Sequence, residues 1–409
     1  MRALAAPSAQ QSAAFQLALA CTRAPVRGTS AQAVERAVGR VDDWQQLLRV
    51  IKRHRIAGLA HRALQPHAAE VPEFVRAILS REAGAIARTG LVLTSESIRL
   101  DAAFRAVDID LGFLKGPVLS MQLYGDVGRR YCRDLDLFVA PTDLARATDV
   151  LQQLGYVAAG ELPGGDIAAW THRLNEWEFR HRDSGILIEL HWRLCPNAAL
   201  GDLLAAKLSW SDVGIGSDRT LRTLGGDTLL AYLCLHGGLH AWSRLKWLAD
   251  IDVLLSSSAD LPQRLLTLSD QIGLRRPVGQ ALWLAAELLE TPLDPATRQV
   301  LAQDRAVRRL GRVALAAMTA GGGEAELENT AFGMTRVRLS HFALRGGWRH
   351  WWSQAQVALA SSDDIKRMRL PRWLGFAYPV LRPVLWGLRK LTGPARGGGC
   401  ASQDRRAIR

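Results

Sequence analysis

The chain has 409 residues, of which 48% are hydrophobic and 22% charged, which excludes a wholly disordered protein and leaves room for roughly two to three domain-sized units. No run of about 18 or more apolar residues occurs, and residues 1–28 lack the apolar core of a signal peptide. The sequence therefore predicts a cytoplasmic protein without a transmembrane helix. The five cysteines form no Cys-x-x-Cys pair, which disfavours a zinc knuckle or a disulfide scaffold.

The positive charge is concentrated at the C-terminal end. Residues 336–409 hold 15 of the 52 basic residues and 3 of the 39 acidic ones, a net charge of +12 out of the +13 for the whole chain. Because a nucleic-acid-binding core usually carries its charge beside its site, the nearly neutral body predicts that nucleic acid is not a partner.

The first predicted elements are helices. Apolar residues from Trp44 to Leu59 recur at helical spacing with basic residues between them, which predicts an amphipathic helix pair within residues 32–107. A second periodic stretch covers residues 71–107, with no proline after Pro72. Residues 1–107 are therefore predicted to form an N-terminal helical region.

A mixed pattern follows in residues 108–200. It predicts buried or alternating strands at 109–114, 135–139, 177–181 and 186–192, and helices at 118–124 and 142–154. Thr142 is predicted to cap the second helix, which ends at Gly155. The two last strands are predicted to form a hairpin through Asp183-Ser184-Gly185.

The remaining chain is predicted to be helical again. The periodic pattern runs from Asp227 to about Met318, and the Gly- and Glu-rich residues 320–330 indicate a linker. The expected fold class is thus α+β, with a small mixed-sheet core flanked by helical regions. The predicted units are residues 1–107, 108–200, 201–319 and 320–409, the last being a linker with a basic, aromatic-rich tail.

Two predicted strands carry acidic residues on one face. Because side chains alternate along a strand, Asp134 and Asp136 point the same way, as do Glu189 and His191. Two neighbouring carboxylates on an otherwise apolar strand repel each other, and a divalent cation such as Mg²⁺ removes that conflict. The alternatives are acids that keep an edge strand soluble and, for Glu189, a simple salt bridge.

Basic residues lie close to these acids in sequence. Lys115-Gly116 ends the first strand of the mixed segment, where glycine lets the backbone approach a phosphate and lysine adds a positive charge. Arg130 and Arg133 precede Asp134 and are predicted either to bind phosphate oxygens or to balance the carboxylates. A turn without any ligand also explains Lys115-Gly116.

Histidines mark the predicted helical half. His236 and His240 are four residues apart and share a helix face. This spacing suits a zinc site, and the alternative is a pair of histidines on the helix surface or at the edge of the core. His191 either orients Glu189 or belongs to the core edge. Cys132 is interpreted as a small structural residue, because the sequence offers no partner base that would make it a nucleophile.

The order of these motifs resembles a known family. Leu114-Lys115-Gly116, Arg130-x-x-x-Asp134-Leu-Asp136 and Ile188-Glu189-Leu-His191-Trp192 are similar to motifs of the uncharacterised bacterial nucleotidyltransferase family, within the polymerase-beta-like superfamily. The similarity extends from Trp44 to Leu255. Lys115-Gly116 stands where the wider superfamily usually has Gly-Ser, and its spacing to the first aspartate is long.

The resemblance implies an activity and its groups. It implies transfer of a nucleoside monophosphate from an NTP, with two Mg²⁺ ions bound by Asp134, Asp136 and Glu189, which are also the expected catalytic residues. Lys115, Gly116, Arg130 and Arg133 are the expected nucleotide-binding residues. The acceptor side is expected to hold a further group of residues, namely His191, His236, His240, Arg244 and Asp250.

The acceptor and the role of the tail stay open. The acceptor is predicted to be a small molecule or a peptide, and the alternative function is a non-catalytic member that binds a nucleotide or a partner protein. The tail, rich in tryptophan and arginine, suits peripheral contact with an anionic membrane at its inner face. The alternatives are docking of the same aromatic residues on the protein's own body and binding of nucleic acid by the tail.

Overall fold

A computed structural model describes residues 12–24, 29–160, 171, 174–216, 218–319 and 333–359. The predicted linker at 320–330 and the tail beyond residue 359 lie outside the described residues. The N-terminal part is helical, as predicted, and consists of α1 Ala13–Thr22, α2 Thr29–Val38, α3 Trp44–His54, α4 Ala57–Leu64, a 3-10 turn Gln65–His67 and α5 Glu73–Arg105.

The middle of the chain forms a sheet with short helices between its strands. The strands are β1 Gly112–Phe113, β2 Asp134–Phe138, β3 Tyr156–Ala158, β4 Glu176–His181, β5 Leu187–His191, β6 Trp210–Ile215 and β7 Arg219–Leu224. The helices are α6 Gly116–Tyr124, α7 Leu144–Gln153 and α8 Ala198–Ala205.

The C-terminal part is again helical. It consists of α9 Gly226–Leu239, α10 Leu245–Leu255, α11 Leu261–Gln271, α12 Arg275–Leu289, α13 Pro295–Gln303, α14 Arg305–Thr319, α15 Gly333–His341 and α16 Trp348–Leu359. Even α5, the longest described helix at 33 residues, lacks the length of apolar sequence that a bilayer crossing needs, and the same holds for the other described helices.

The described strands form one mixed sheet in the order β3-β4-β5-β2-β1-β7-β6. Strand β2 pairs parallel to β5, and β1 pairs parallel to β7, while the other neighbours are antiparallel. One face of this sheet packs its apolar residues against α5 and α7. A mixed sheet flanked by helical regions confirms the predicted fold class.

The β6–β7 hairpin extends the sheet beyond the segment predicted from sequence. Its strands contain Asp212, Gly214 and Arg222, which are poor strand formers by propensity. Pairing overrides that tendency: β7 lies beside β1, and the Thr223 hydroxyl donates to the Phe113 carbonyl at 2.6 Å. The sheet therefore continues past residue 200.

Two local predictions differ from the structure. Strand β1 covers only two residues, and its Gly112 lies against the Trp210 ring, where a Cβ atom would collide. The predicted cap at Thr142 is wrong. Residues Pro141–Asp143 form a 3-10 turn, favoured by the fixed φ of Pro141, and α7 begins at Leu144 without a side-chain cap.

His54 makes the stability of the fold sensitive to acid. It is fully buried at the end of α3, and its Nδ1 accepts a hydrogen bond from the Leu245 amide at 3.1 Å. Burial, with the nearby charges of Arg53 and Arg244, lowers the pKa of His54 to about 3. Since the unfolded chain takes up this proton near pH 6.5, stability is lost as the pH falls from 6.5 towards 3.

We therefore expect His54→Asn, which keeps an acceptor near the Leu245 amide, to reduce the loss of unfolding free energy between pH 7 and pH 5 by about 2 kcal/mol. Urea unfolding at both pH values measures this, with His61→Asn on α4 as the control. The same acid-induced loss in wild type and His54→Asn would refute the assignment.

Candidate active site

Three adjacent strands bring acidic residues into one row. Asp136 of β2 lies beside Glu189 of β5, and Glu189 lies opposite Glu178 of β4. Residues in register across a sheet point to the same face, so the three carboxylates share that face. Asp134 lies two positions along β2 and points the same way, while Glu176 and His191 form the next row.

The opposite face explains why these strands fold with this phase. Leu135 and Leu137 of β2 and Ile188 and Leu190 of β5 are buried in the core beneath α5 and α7. A register shift of one residue would place these side chains on the polar face, so burial fixes the phase of both strands. The carboxylates consequently point away from this core, towards α9.

Lys115 completes the acidic face. Its Nζ lies 2.7 Å from Oδ1 of Asp136, and both side chains are largely buried. Gly116, with φ of +72°, turns the chain from β1 into α6 and lies close to the Asp134 carbonyl. Burial acts to lower the pKa of Lys115, but Asp136 outweighs it and raises the pKa well above the usual value. Lys115 is therefore protonated.

His191 lies at the centre of the carboxylates. Its Nδ1 lies 3.0 Å from Glu176, and its Nε2 lies 3.4 Å from Asp136 and 3.7 Å from Glu189. Burial acts to lower the pKa of His191, but the carboxylates, Glu176 first, outweigh burial and hold it well above the usual value. His191 in turn lowers the pKa of Glu176 to about 2, against the effect of burial.

The sequence predicts repulsion between Asp134 and Asp136, but in the structure each of these carboxylates lies beside a cationic side chain. Asp136 has two cationic neighbours, and Lys115 and His191 hold its pKa well below the ordinary value despite its burial. Asp134 is partly exposed and lies 3.3 Å from Arg133. Glu189 lies farther from His191, at 3.7 Å, and its pKa is raised by burial and by the neighbouring Asp136 and Glu176.

The face as a whole carries more negative than positive charge. Five carboxylates lie on it, and the cations that pair with them are Lys115, Arg133 and His191. Glu178 has no cationic partner among the described residues, and it lies directly opposite Glu189, where like charges destabilise a strand pair. A divalent cation would neutralise this excess.

The donor set fits such a cation. Asp136, Glu189 and His191 each offer an atom within 4.8 Å of the others, which is the one group of this kind among the described residues. Mg²⁺ prefers carboxylate oxygens to imidazole nitrogens as ligands. We therefore regard Asp136 and Glu189 as candidate ligands, with Asp134 beside them, and His191 as the group that positions both.

Arg130 and Asp250 form a buried ion pair. Arg130 Nε donates to Asp250 at 2.8 Å, and the Tyr124 hydroxyl donates to the same carboxylate at 3.1 Å. The sequence suggested Arg130 for phosphate binding and Asp250 for the acceptor side. In the structure they connect the segment before β2 to α10. Arg244 donates to the Arg53 carbonyl and so joins the start of α10 to the end of α3.

His236 and His240 belong to an aromatic cluster on α9 and α10. The His240 ring stacks on Trp247 at 5.0 Å, and His236 meets both rings, at 4.5 Å and 5.4 Å. Burial, with the charge of Lys115, lowers the pKa of His236 well below its usual value. Within the described part of the chain neither histidine joins a group of three metal-binding side chains, so the cluster forms an aromatic wall near Lys115.

Sequence reasoning missed several residues of this site. Glu176 and Glu178 repeat on β4 the alternation that identified Asp134 and Asp136, and that strand was predicted, so the signal was present. Arg55, whose guanidinium lies 5.1 Å from the centre of the Tyr131 ring, gave no such signal, because it meets this segment only through packing between distant parts of the chain.

Comparison with known proteins identifies the family of this chain. The chain is similar to the crystal structure of an antigenic nucleotidyltransferase-like protein from Paracoccidioides brasiliensis, at 18% identity over 50% of this chain and 94% of that one, with a TM-score of 0.29. None of the curated proteins matches it. A family model described as uncharacterised nucleotidyltransferase matches residues 41–290. Since this match covers more than half of the sequence and includes the whole acidic face, the chain belongs to the uncharacterised nucleotidyltransferase family.

Proposed function

We propose that this protein transfers a nucleoside monophosphate from an NTP to a hydroxyl group of a small molecule or a peptide, in a reaction that needs Mg²⁺. The observation that carries the proposal is the pairing of Asp136 with Glu189 on neighbouring strands, with Asp134 on the same face. Family membership supports nucleotidyl transfer as the reaction class.

Asp134, Asp136 and Glu189 would hold two Mg²⁺ ions. When bound, the ions supply neutralisation of charge on the reacting phosphate and on the pyrophosphate that leaves. His191 fixes the orientation of Asp136 and Glu189, and Glu176 keeps His191 protonated. Groups that orient ligands in this way typically change activity by about 10–100-fold when removed.

Glu189 is the proposed base. Its carboxylate lies beside Asp136 on the face where the acceptor oxygen would approach, and positioned carboxylates serve as general bases. The acceptor oxygen attacks the α-phosphorus, its proton passes to Glu189, and the bond from the α-phosphorus to the pyrophosphate oxygen breaks. Lys115 and Arg133 face the phosphates, with Gly116 allowing their close approach. The aromatic wall of His236, His240 and Trp247 lies on the acceptor side.

Label transfer tests this function. Full-length protein is incubated with each α-labelled NTP, with Mg²⁺ or EDTA, and with low-mass and protein fractions of a cell extract as acceptors. We expect Mg²⁺-dependent pyrophosphate release together with label on one fraction. Nucleotide binding without pyrophosphate release from any NTP would instead favour the alternative, a non-catalytic nucleotide-binding member.

Residues 333–359 support a second, separate proposal, which is contact with a membrane. Residues 333–359 dock on the body through Leu344, between α15 and α16, and through His350 of α16, which lies 3.1 Å from the Asn197 amide. Their outer surface exposes three tryptophans at 52–71%, namely Trp348, Trp351 and Trp352. Residues 333–359 contain four arginines and no acidic residue. Such a surface suits an anionic lipid interface at about 1 kcal/mol per basic residue.

We expect the full-length protein to sediment with vesicles of phosphatidylserine and phosphatidylcholine at low salt, and less at high salt. Replacement of Trp348, Trp351 and Trp352 by serine should remove most of this binding. Phe74→Ser, at an exposed apolar position on α5, is the control. Wild-type protein that stays in the supernatant at low salt would refute the proposal.

A further inference from the structure

Lys246 is a buried cation with little to compensate it. Its side chain lies near the start of α10 with 9% exposure, and Nζ donates to the Tyr131 carbonyl at 3.3 Å. Among the described residues, no carboxylate lies within 4.0 Å of this ammonium group. A buried charge without a counter-charge is costly unless a ligand supplies one.

A second cation lies at the same place. The guanidinium of Arg55 lies 5.1 Å from the centre of the Tyr131 ring, and Lys246 Nζ lies 5.5 Å from it. Arg55 likewise has no carboxylate within ion-pair distance in the described part of the chain. The two cations therefore share one aromatic side chain, and neither has a carboxylate within ion-pair distance among the described residues.

The surrounding backbone holds both cations in place. Arg55 ends α3 in the left-handed region, at φ of 56°, and Ala241 and Trp242 adopt the same region in the turn before α10. The Leu245 amide donates to His54 at 3.1 Å, which ties the start of α10 to the end of α3. Non-glycine residues in this region cost free energy and cluster at functional sites.

This pair of cations lies next to the acidic face. Tyr131 is three residues before Asp134 in the segment that enters β2. Burial, then the charges of Arg130 and Arg55, lowers the pKa of Lys246 to about 7, while Asp134 acts in the opposite direction. Lys246 lies in the first turn of α10, where the helix dipole also favours an anion.

We infer that Arg55, Tyr131 and Lys246 form a binding site for phosphoryl oxygens, and that it takes the polyphosphate tail of the nucleotide. This inference rests on the proposed function, because the Asp134 side of the sheet is where the reacting phosphate would lie. Lys246 and Arg55 supply the positive charge, and Tyr131 holds them apart at a fixed spacing.

Binding of inorganic tripolyphosphate to the full-length protein tests the inference without requiring catalysis. Isothermal titration compares wild type with Lys246→Met, Lys246→Arg and Arg55→Gln. Arg49→Gln, at an exposed position on α3, is the control. We expect affinity to fall at least about tenfold in Lys246→Met and Arg55→Gln, since each loses a charged partner of phosphate. Lys246→Arg and Arg49→Gln should bind like wild type.

Melting curves show whether each variant is folded and whether tripolyphosphate stabilises it. Tripolyphosphate should raise the melting temperature of wild type but not that of Lys246→Met, which should itself be at least as stable as wild type because it removes a buried charge. Unchanged tripolyphosphate affinity in both Lys246→Met and Arg55→Gln would overturn the inference.

A competition experiment identifies the source of the phosphate. If the site holds the nucleotide tail, a saturating NTP displaces tripolyphosphate. Simultaneous binding of both would overturn the assignment to the nucleotide and point to a phosphorylated acceptor. Glu189→Gln, which should block transfer, should retain tripolyphosphate binding, so a failure of the proposed reaction and a failure of this site give different results.

Discussion

Asp136→Asn is expected to abolish nucleotidyl transfer and to lower the free energy of unfolding by about 3–5 kcal/mol, the cost of breaking a buried ion pair. Asp136 lies 2.7 Å from Lys115 and 3.4 Å from His191, both buried. The neutral amide leaves these two positive charges without their main partner. The stability effect is opposite to that expected from simple repulsion between Asp134 and Asp136.

Denaturant unfolding in EDTA and pyrophosphate release in Mg²⁺ measure the two effects. Asp134→Asn is the matched control, because Asp134 is partly exposed and pairs with Arg133 at the surface. Its activity should also be lost, but its stability should change by no more than about 1 kcal/mol. Equal stability of Asp136→Asn and wild type would show that the buried network does not hold the fold together.

Glu189→Gln should reduce transfer by about a thousandfold or more without lowering stability. Its side chain is 30% exposed, and partial burial with the neighbouring Asp136 and Glu176 raises its pKa. Removing that charge removes its repulsion with Asp136 and Glu176, a repulsion that destabilises the metal-free protein. The melting temperature in EDTA should therefore stay the same or rise. Mg²⁺ should stabilise wild type but not Glu189→Gln.

The control for this prediction is Glu82→Gln, at an exposed position on α5, which should leave both activity and stability unchanged. A Glu189→Gln variant with the activity of wild type would remove Glu189 from the reaction. A large loss of stability would mean that Glu189 acts mainly as a partner of His191.

The sequence predicted the strands that carry the acids because apolar alternation fixes the phase of a strand. Leu135, Leu137 and Leu190 had to be buried, so Asp134, Asp136 and Glu189 had to point the other way. The pairing order was not predictable, since it depends on contacts between segments that are distant in the chain. The position of Lys115 beside Asp136 follows from the same strand order.

Other features could not be predicted without knowledge of the whole fold. The β6–β7 hairpin contains polar and glycine residues, and its pairing with β1 is what makes it a strand pair. Arg55 and Lys246 are almost 200 positions apart and meet only because α3 and α10 are tied together through His54. No local pattern encodes such a meeting, although Glu176 and Glu178 followed a pattern that the sequence did contain.

Binding of Mn²⁺ in place of Mg²⁺ tests the central claim most directly. Electron paramagnetic resonance counts the free ion in the presence of a non-hydrolysable NTP analogue, with no acceptor required. We expect wild type to bind about two Mn²⁺ per chain, and the double variant Asp136→Asn, Glu189→Gln to bind almost none. As much bound Mn²⁺ in the double variant as in wild type would contradict the assignment of the acidic face as the metal site.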